Sequence, residues 1–136
     1  MPEIGRKRKT EYSMADYKRL YTRLRRLYFL DPGENLHIPP PVEELRWYWL
    51  PPQDSALAMT TFDEDGDPQD IGFDPMTRVS YHIIRYVMLH EMTHMRIGSK
   101  WCCGQLSHAW LGARVPRNTL WHAETKRLVE AGALTL

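Results

Sequence analysis

The sequence predicts an α+β domain: an N-terminal helix, a small three-stranded antiparallel sheet, a second helix, a long loop and a closing helix. Three observations lead there. Apolar residues recur at helical spacing near the start, in the middle and at the end of the chain. Three short strand-like runs lie between the first two of these stretches. Proline, glycine and acidic residues mark the boundaries. The 136 residues suit one domain. Residues 1–12 are expected to be a disordered basic arm and residues 13–136 a single folded domain.

Ser13-Met14-Ala15-Asp16 has the form of a capping box, with Asp in place of the usual Glu, and opens a helix to about residue 30. Tyr17, Leu20, Tyr21, Leu24, Leu27 and Tyr28 follow the i, i+3, i+4, i+7 pattern of one buried stripe, with the arginines toward water. Asp31-Pro32-Gly33 ends the helix, and Pro39-Pro40-Pro41 is a stiff extended spacer. The three strands are expected at residues 46–50, rich in aromatics, at 55–62, with Leu57, Met59 and Thr61 in alternation, and at 71–73. Asp65-Gly66 within the acidic run 63–67 signals a hairpin. A calcium loop does not fit there, because counting from Asp63 puts Pro68 where an EF-hand needs glycine.

Asp74-Pro75 suits an N-cap and a first-turn proline, predicting a helix from there to about Ile97 that Gly98 closes. A loop of roughly twenty residues follows, carrying Cys102, Cys103, His108 and Pro116, a length usually tied to function or motion. The last helix is expected from about residue 118 or 119 to Ala131, with Gly132 as its stop.

Composition narrows the class. Hydrophobic residues at 43% and charged residues at 26% argue against wholesale disorder. No apolar run approaches the length of a membrane span, and no apolar segment follows the basic N-terminus as a secretory signal would require. Cys102 and Cys103 are adjacent, which suits neither a disulfide framework nor a four-cysteine zinc ribbon. A reducing, cytoplasmic setting is the expectation. The net charge of +1 hides an asymmetry: residues 1–30 hold nine basic and three acidic side chains, a balance of +6, and the remainder carries −5. Such a lobe is either a solvated helix face with a basic tail or a surface for an acidic partner such as nucleic acid.

The chemistry centres on His90-Glu91-Met92-Thr93-His94, inside the middle helix. His90 and His94 lie one turn apart and project from one face, able to hold a single zinc ion through their imidazoles. Glu91 is rotated about 100° from His90. It therefore stands near the metal without being forced to ligate it, as a general base acting on zinc-activated water requires. Two histidines that merely hydrogen-bond within the core are the plainer alternative, and the apolar flanks Val87, Met88, Leu89, Met95 and Ile97 favour a buried active-site helix instead. A catalytic zinc usually takes three protein ligands. Ile97 and Lys100 stand where the long metzincin motif needs glycine and histidine, which leaves His108, His122 and Glu124 as candidates for the third.

With its motif and element order in view, the chain resembles the SprT-like (Spartan-type) zinc metallopeptidases. The resemblance covers most of residues 13–134, with residues 17–29, 45–74, 81–94 and 121–133 falling in the family's order. Leu89-His90-Glu91-Met92-Thr93-His94 looks like the family's active-site segment. Trp121-His122-Ala123-Glu124-Thr125-Lys126-Arg127-Leu128 is similar to the closing helix of small bacterial and phage members. The resemblance implies a zincin-like fold, one zinc per chain, and an endopeptidase in which Glu91 is the base and His90, His94 and a third histidine hold the metal. Counted forward from His94, that third ligand falls near His108. Counted back from Trp121, it falls near Arg117-Asn118, which an insertion at residues 111–117 would reconcile. The resemblance also implies protein or peptide substrates, some of them bound to DNA, with DNA contact through the basic N-terminal region and no membrane. Two other functions compete: a non-catalytic, zinc-stabilised binding module, and a small basic nucleic-acid-binding protein. Glu91 argues against the first, since a structural zinc site has no use for a base. Tightly held zinc would argue against the second.

Overall fold

Ser13 opens the first helix as its sequence indicates, accepting a hydrogen bond from Asp16 N while the Asp16 carboxylate accepts one from Ser13 N. The computed structural model describes residues 11–31, 33, 36–51, 56–98 and 120–134. Within them the fold is α+β, with three α-helices and a small three-stranded sheet. In chain order the elements are α1 (Met14–Tyr28), a 3-10 turn (Val42–Glu44), β1 (Arg46–Trp49), β2 (Ala58–Phe62), β3 (Pro68–Phe73), a second 3-10 turn (Pro75–Val79), α2 (Tyr81–Ile97) and α3 (Leu120–Glu130).

The sheet departs from the antiparallel expectation. Its order is β1-β3-β2, with β2 and β3 antiparallel and β1 and β3 parallel, so it is mixed. The β2–β3 hairpin turns at residues 63–67, where Asp63 Oδ1 accepts from the backbone N–H groups of Asp65 and Asp67, and Gly66 takes a positive φ of 88°. β1 adds to the open side of β3 in the same direction, from Arg46 opposite Asp70 to Trp49 opposite Phe73. Asp70, in the central strand, ties all three strands together: its carboxylate accepts from Arg46 on β1 and from Thr61 on β2.

In β2 the alternation of the sequence resolves into two faces. Leu57 and Met59 are exposed, and the opposite set faces inward, with Ala58 against the core and Thr60 toward α2. In α1, Tyr17, Leu20, Tyr21 and Leu24 are buried as expected, whereas Leu27 is 54% exposed because the stripe passes to Phe29 at the C-cap.

The helix expected from Asp74 to Ile97 is two elements. Asp74 does cap, accepting from Met76 N, but only the 3-10 turn follows. Ser80 is extended (φ −143°) and caps α2 separately by accepting from Ile83 N. Gly98 closes α2 with φ 97° and ψ 160°, a conformation reserved almost entirely for glycine. The expected start of the third helix, the long loop and residues 1–10 of the basic arm lie outside the described residues. Glu11 and Tyr12, at the arm's end, are tied to Arg78: Glu11 by an ion pair, and Tyr12 by hydrogen bonds in both directions.

Every residue of α2 from Val87 to Ile97 is buried, so this helix is the centre of the molecule rather than a surface element. Tyr17, Tyr21, Trp47, Trp49 and Phe73 form an aromatic cluster between α1 and the sheet, with edge-on contacts at 4.8–5.2 Å between ring centres. Tyr21 Oη donates to Pro40 O and Arg25 Nε to Pro39 O, which fastens the proline spacer along α1. Each large side chain fully removed from water here contributes about 1.5–3 kcal/mol. That burial holds α2 in register for the polar groups it carries.

Candidate metal centre

Five of the buried residues on α2 are polar: His90, Glu91, Thr93, His94 and Arg96. Burying such groups is unfavourable unless each is satisfied. Thr93 Oγ1 donates to Leu89 O within the helix. Arg96 donates from Nη1 to Asp31 O and pairs through Nε with Glu124 at 2.8 Å. Glu91 accepts a short hydrogen bond from Thr60 Oγ1 on β2, at 2.6 Å.

His90 and His94 stand one turn apart, their ring centres 4.8 Å from each other and their planes at 72°. Trp121 of α3 lies against both, with its ring centre 5.1 Å from each imidazole. One ligand-capable atom from each of His90, Glu91 and His94 falls within 4.8 Å of the others, a group able to hold a metal ion. It is the only such group among the described residues. The donor chemistry fits: imidazole nitrogens and carboxylate oxygens are ligands for zinc and related first-row metals.

Burial pushes the Glu91 carboxyl up to about 7 in the metal-free chain, and the Thr60 hydrogen bond pulls the other way. Thr60 was not among the residues singled out from sequence. The only signal available was its place in a strand, opposite in phase to Leu57, Met59 and Thr61.

The remaining candidates sort as follows. His108 lies outside the described residues. Glu124 is buried, but its Oε1 is engaged by both Arg96 and Arg127, at 2.8 and 2.9 Å. His122 is half-buried on α3, and neither it nor Glu124 joins the metal-capable group. His82 and His37 are exposed.

Searches against family models, curated proteins and solved structures find no match. The likeness to SprT-like peptidases therefore rests on the chain's own motif and element order. No helix among the described residues is long and apolar enough to cross a membrane.

Proposed function

We propose that the protein is a zinc-dependent endopeptidase of the SprT-like type, with His90, His94 and His108 holding the metal and Glu91 acting as general base. The observation that carries this reading is the arrangement on α2. Two buried imidazoles sit one helical turn apart, and between them in sequence is a carboxylate fixed by a hydroxyl from the neighbouring strand. Zinc held there would supply Lewis acidity, lowering the pKa of water to about 7 and polarising a peptide carbonyl.

The chain's own groups account for the proton. Glu91 takes one from the attacking water as its oxygen bonds to the carbonyl carbon, and returns it to the nitrogen when the C–N bond breaks. Thr60, donating to Oε1, fixes the direction of that carboxylate. Trp121 lies against both imidazoles on the α3 side. A structural zinc site needs no intervening carboxylate, and this favours catalysis over a binding module.

Action on DNA-bound proteins is the narrower part of the proposal. Lys18, Arg23 and Arg26 on α1 face solvent, whereas Arg25 is held by Pro39 O and Arg19 pairs with Asp16. A cytoplasmic setting belongs to the same reading. The experiment that tests the proposal compares zinc content and peptide hydrolysis in wild type and Glu91→Gln, which keeps the shape of the side chain and removes its basicity.

A further inference from the structure

We infer that the buried Arg96–Glu124 ion pair is a positioning device for the two imidazoles, acting through Trp121. Glu124 follows Trp121 by three residues, so both project from the same face of α3. Arg96 follows His94 by two residues, about 200° around α2. Trp121 and Glu124 therefore grip α2 on two different sides, one at the imidazoles and one at the guanidinium. Trp121 meets His90 and His94 at 5.1 Å, and Glu124 Oε1 meets Arg96 Nε at 2.8 Å. A roll or slide of α3 against α2 would break both contacts together.

The anchor for this strut is itself fixed. Arg96 donates from Nη1 to Asp31 O at 2.8 Å, and its carbonyl accepts from His37 N at 2.7 Å. Glu124 is held from its own helix by Arg127 Nε, whose guanidinium lies over the Phe29 ring at 5.4 Å. The side chains of Arg96 and Glu124 are 3% and 4% exposed. Burial this deep is a poor source of stability, because apolar side chains of similar volume often serve as well or better. What an ion pair adds is direction: a guanidinium and a carboxylate accept few relative placements. The pair therefore sets where Trp121 stands, and Trp121 sets the imidazole planes. Glu124, shared between Arg96 and Arg127, also keeps the two guanidiniums from standing unopposed beside a site for a dication. This assigns it a positioning role in place of the ligand role that its sequence position allowed.

The part concerning metal affinity rests on the proposed zinc site; the part concerning imidazole orientation does not. The test uses the full chain as wild type, Glu124→Gln and the double variant Arg96→Met/Glu124→Leu. The double variant replaces the pair with apolar volume, and so keeps a folded protein available if Glu124→Gln alone fails to fold. The imidazole carbon-bound proton resonances of His90 and His94, assigned by single substitution, are read in the metal-free chain, where they sense the Trp121 ring current. Zinc affinity is then read by competition with a chromophoric chelator. Both resonances are expected to move in each variant that folds, and zinc affinity to fall about tenfold, as for other groups that orient ligands from outside. A purely stabilising pair would leave the folded-state resonances in place. Resonances that coincide with wild type in the double variant overturn the inference. Resonances that move while zinc affinity stays at the wild-type value overturn it as well. A wild-type chain that takes up no zinc instead defeats the zinc reading, and the resonances alone then decide the orientation claim.

Discussion

Thr60 Oγ1 donates a 2.6 Å hydrogen bond to Glu91 Oε1, joining the edge strand β2 to the central helix at the residue proposed as the base. The contact gives the sheet a direct part in the site. Removing the hydroxyl in Thr60→Val takes a donor away from a buried carboxylate, an interaction worth about 2 kcal/mol when the acceptor is charged. Peptide hydrolysis should fall by at most roughly 30-fold, through the lost orientation of the base, with zinc content unchanged. Thr60→Ser, which keeps the donor, should retain most of the activity. Steady-state rates of the two variants beside wild type check this.

The metal ligands form a second, separable prediction. His90→Ala and His94→Ala should each lose tightly bound zinc, because only one imidazole of the pair remains on α2. His108→Ala should lose it too, and His122→Ala should not. Elemental analysis of the purified proteins reads all four. Zinc retained by His108→Ala and lost by His122→Ala would move the third ligand to α3.

Much of the local structure was legible in the sequence because it is set by neighbours. The Ser13–Asp16 capping box, the Asp65-Gly66 turn and the Gly98 stop each depend on residues within four positions, and each occurs where the residues indicate. The two histidines shared a helix face for the same reason. Relations between distant segments were less accessible. The parallel joining of β1 to β3 depends on which edge of the hairpin the aromatic strand can cover, and no local pattern records that. Alternation along β2 did not say which face is inward: Leu57 and Met59 are exposed, and the sheet turns Thr60 toward Glu91. Asp74-Pro75 is so strong a helix start that it obscured the second cap at Ser80. The partnership of Arg96 with Glu124 spans 28 positions, and spacing on α3 showed only which face Glu124 occupies.

Gly98 ends α2 four residues after His94, its N–H bonded to His94 O at 2.9 Å. Its φ of 97° with ψ of 160° is hostile to any side chain, and an added Cβ would meet His37 Nε2 at 3.1 Å. Gly98→Ala should lower stability by about 1–3 kcal/mol. Chemical denaturation should show this as a lower midpoint with an unchanged slope.

Asp70 supplies a pH-dependent contribution. Hydrogen bonding from Arg46 holds its carboxyl below the ordinary aspartate value, with Thr61 acting in the same direction. A carboxyl lowered in the folded state adds stability that is fully present above its unfolded value of about 4 and is lost as pH falls through the folded value. Asp70→Asn should therefore be less stable than wild type at neutral pH, and the two should converge as pH drops below about 4. Thermal midpoints across the acid range read the difference. Added salt should narrow it, since Arg46 is exposed.

The central claim is that Glu91 is the base of a zinc-dependent peptidase, and one paired measurement bears on it most directly. Zinc content and cleavage of an unfolded protein substrate are determined on the same preparations of wild type and Glu91→Gln. The account predicts one zinc per chain in both, cleavage by wild type, and a loss of cleavage by several orders of magnitude in Glu91→Gln. A zinc-loaded Glu91→Gln protein that cleaves as fast as wild type, or a zinc-loaded wild type that cleaves nothing, would contradict it.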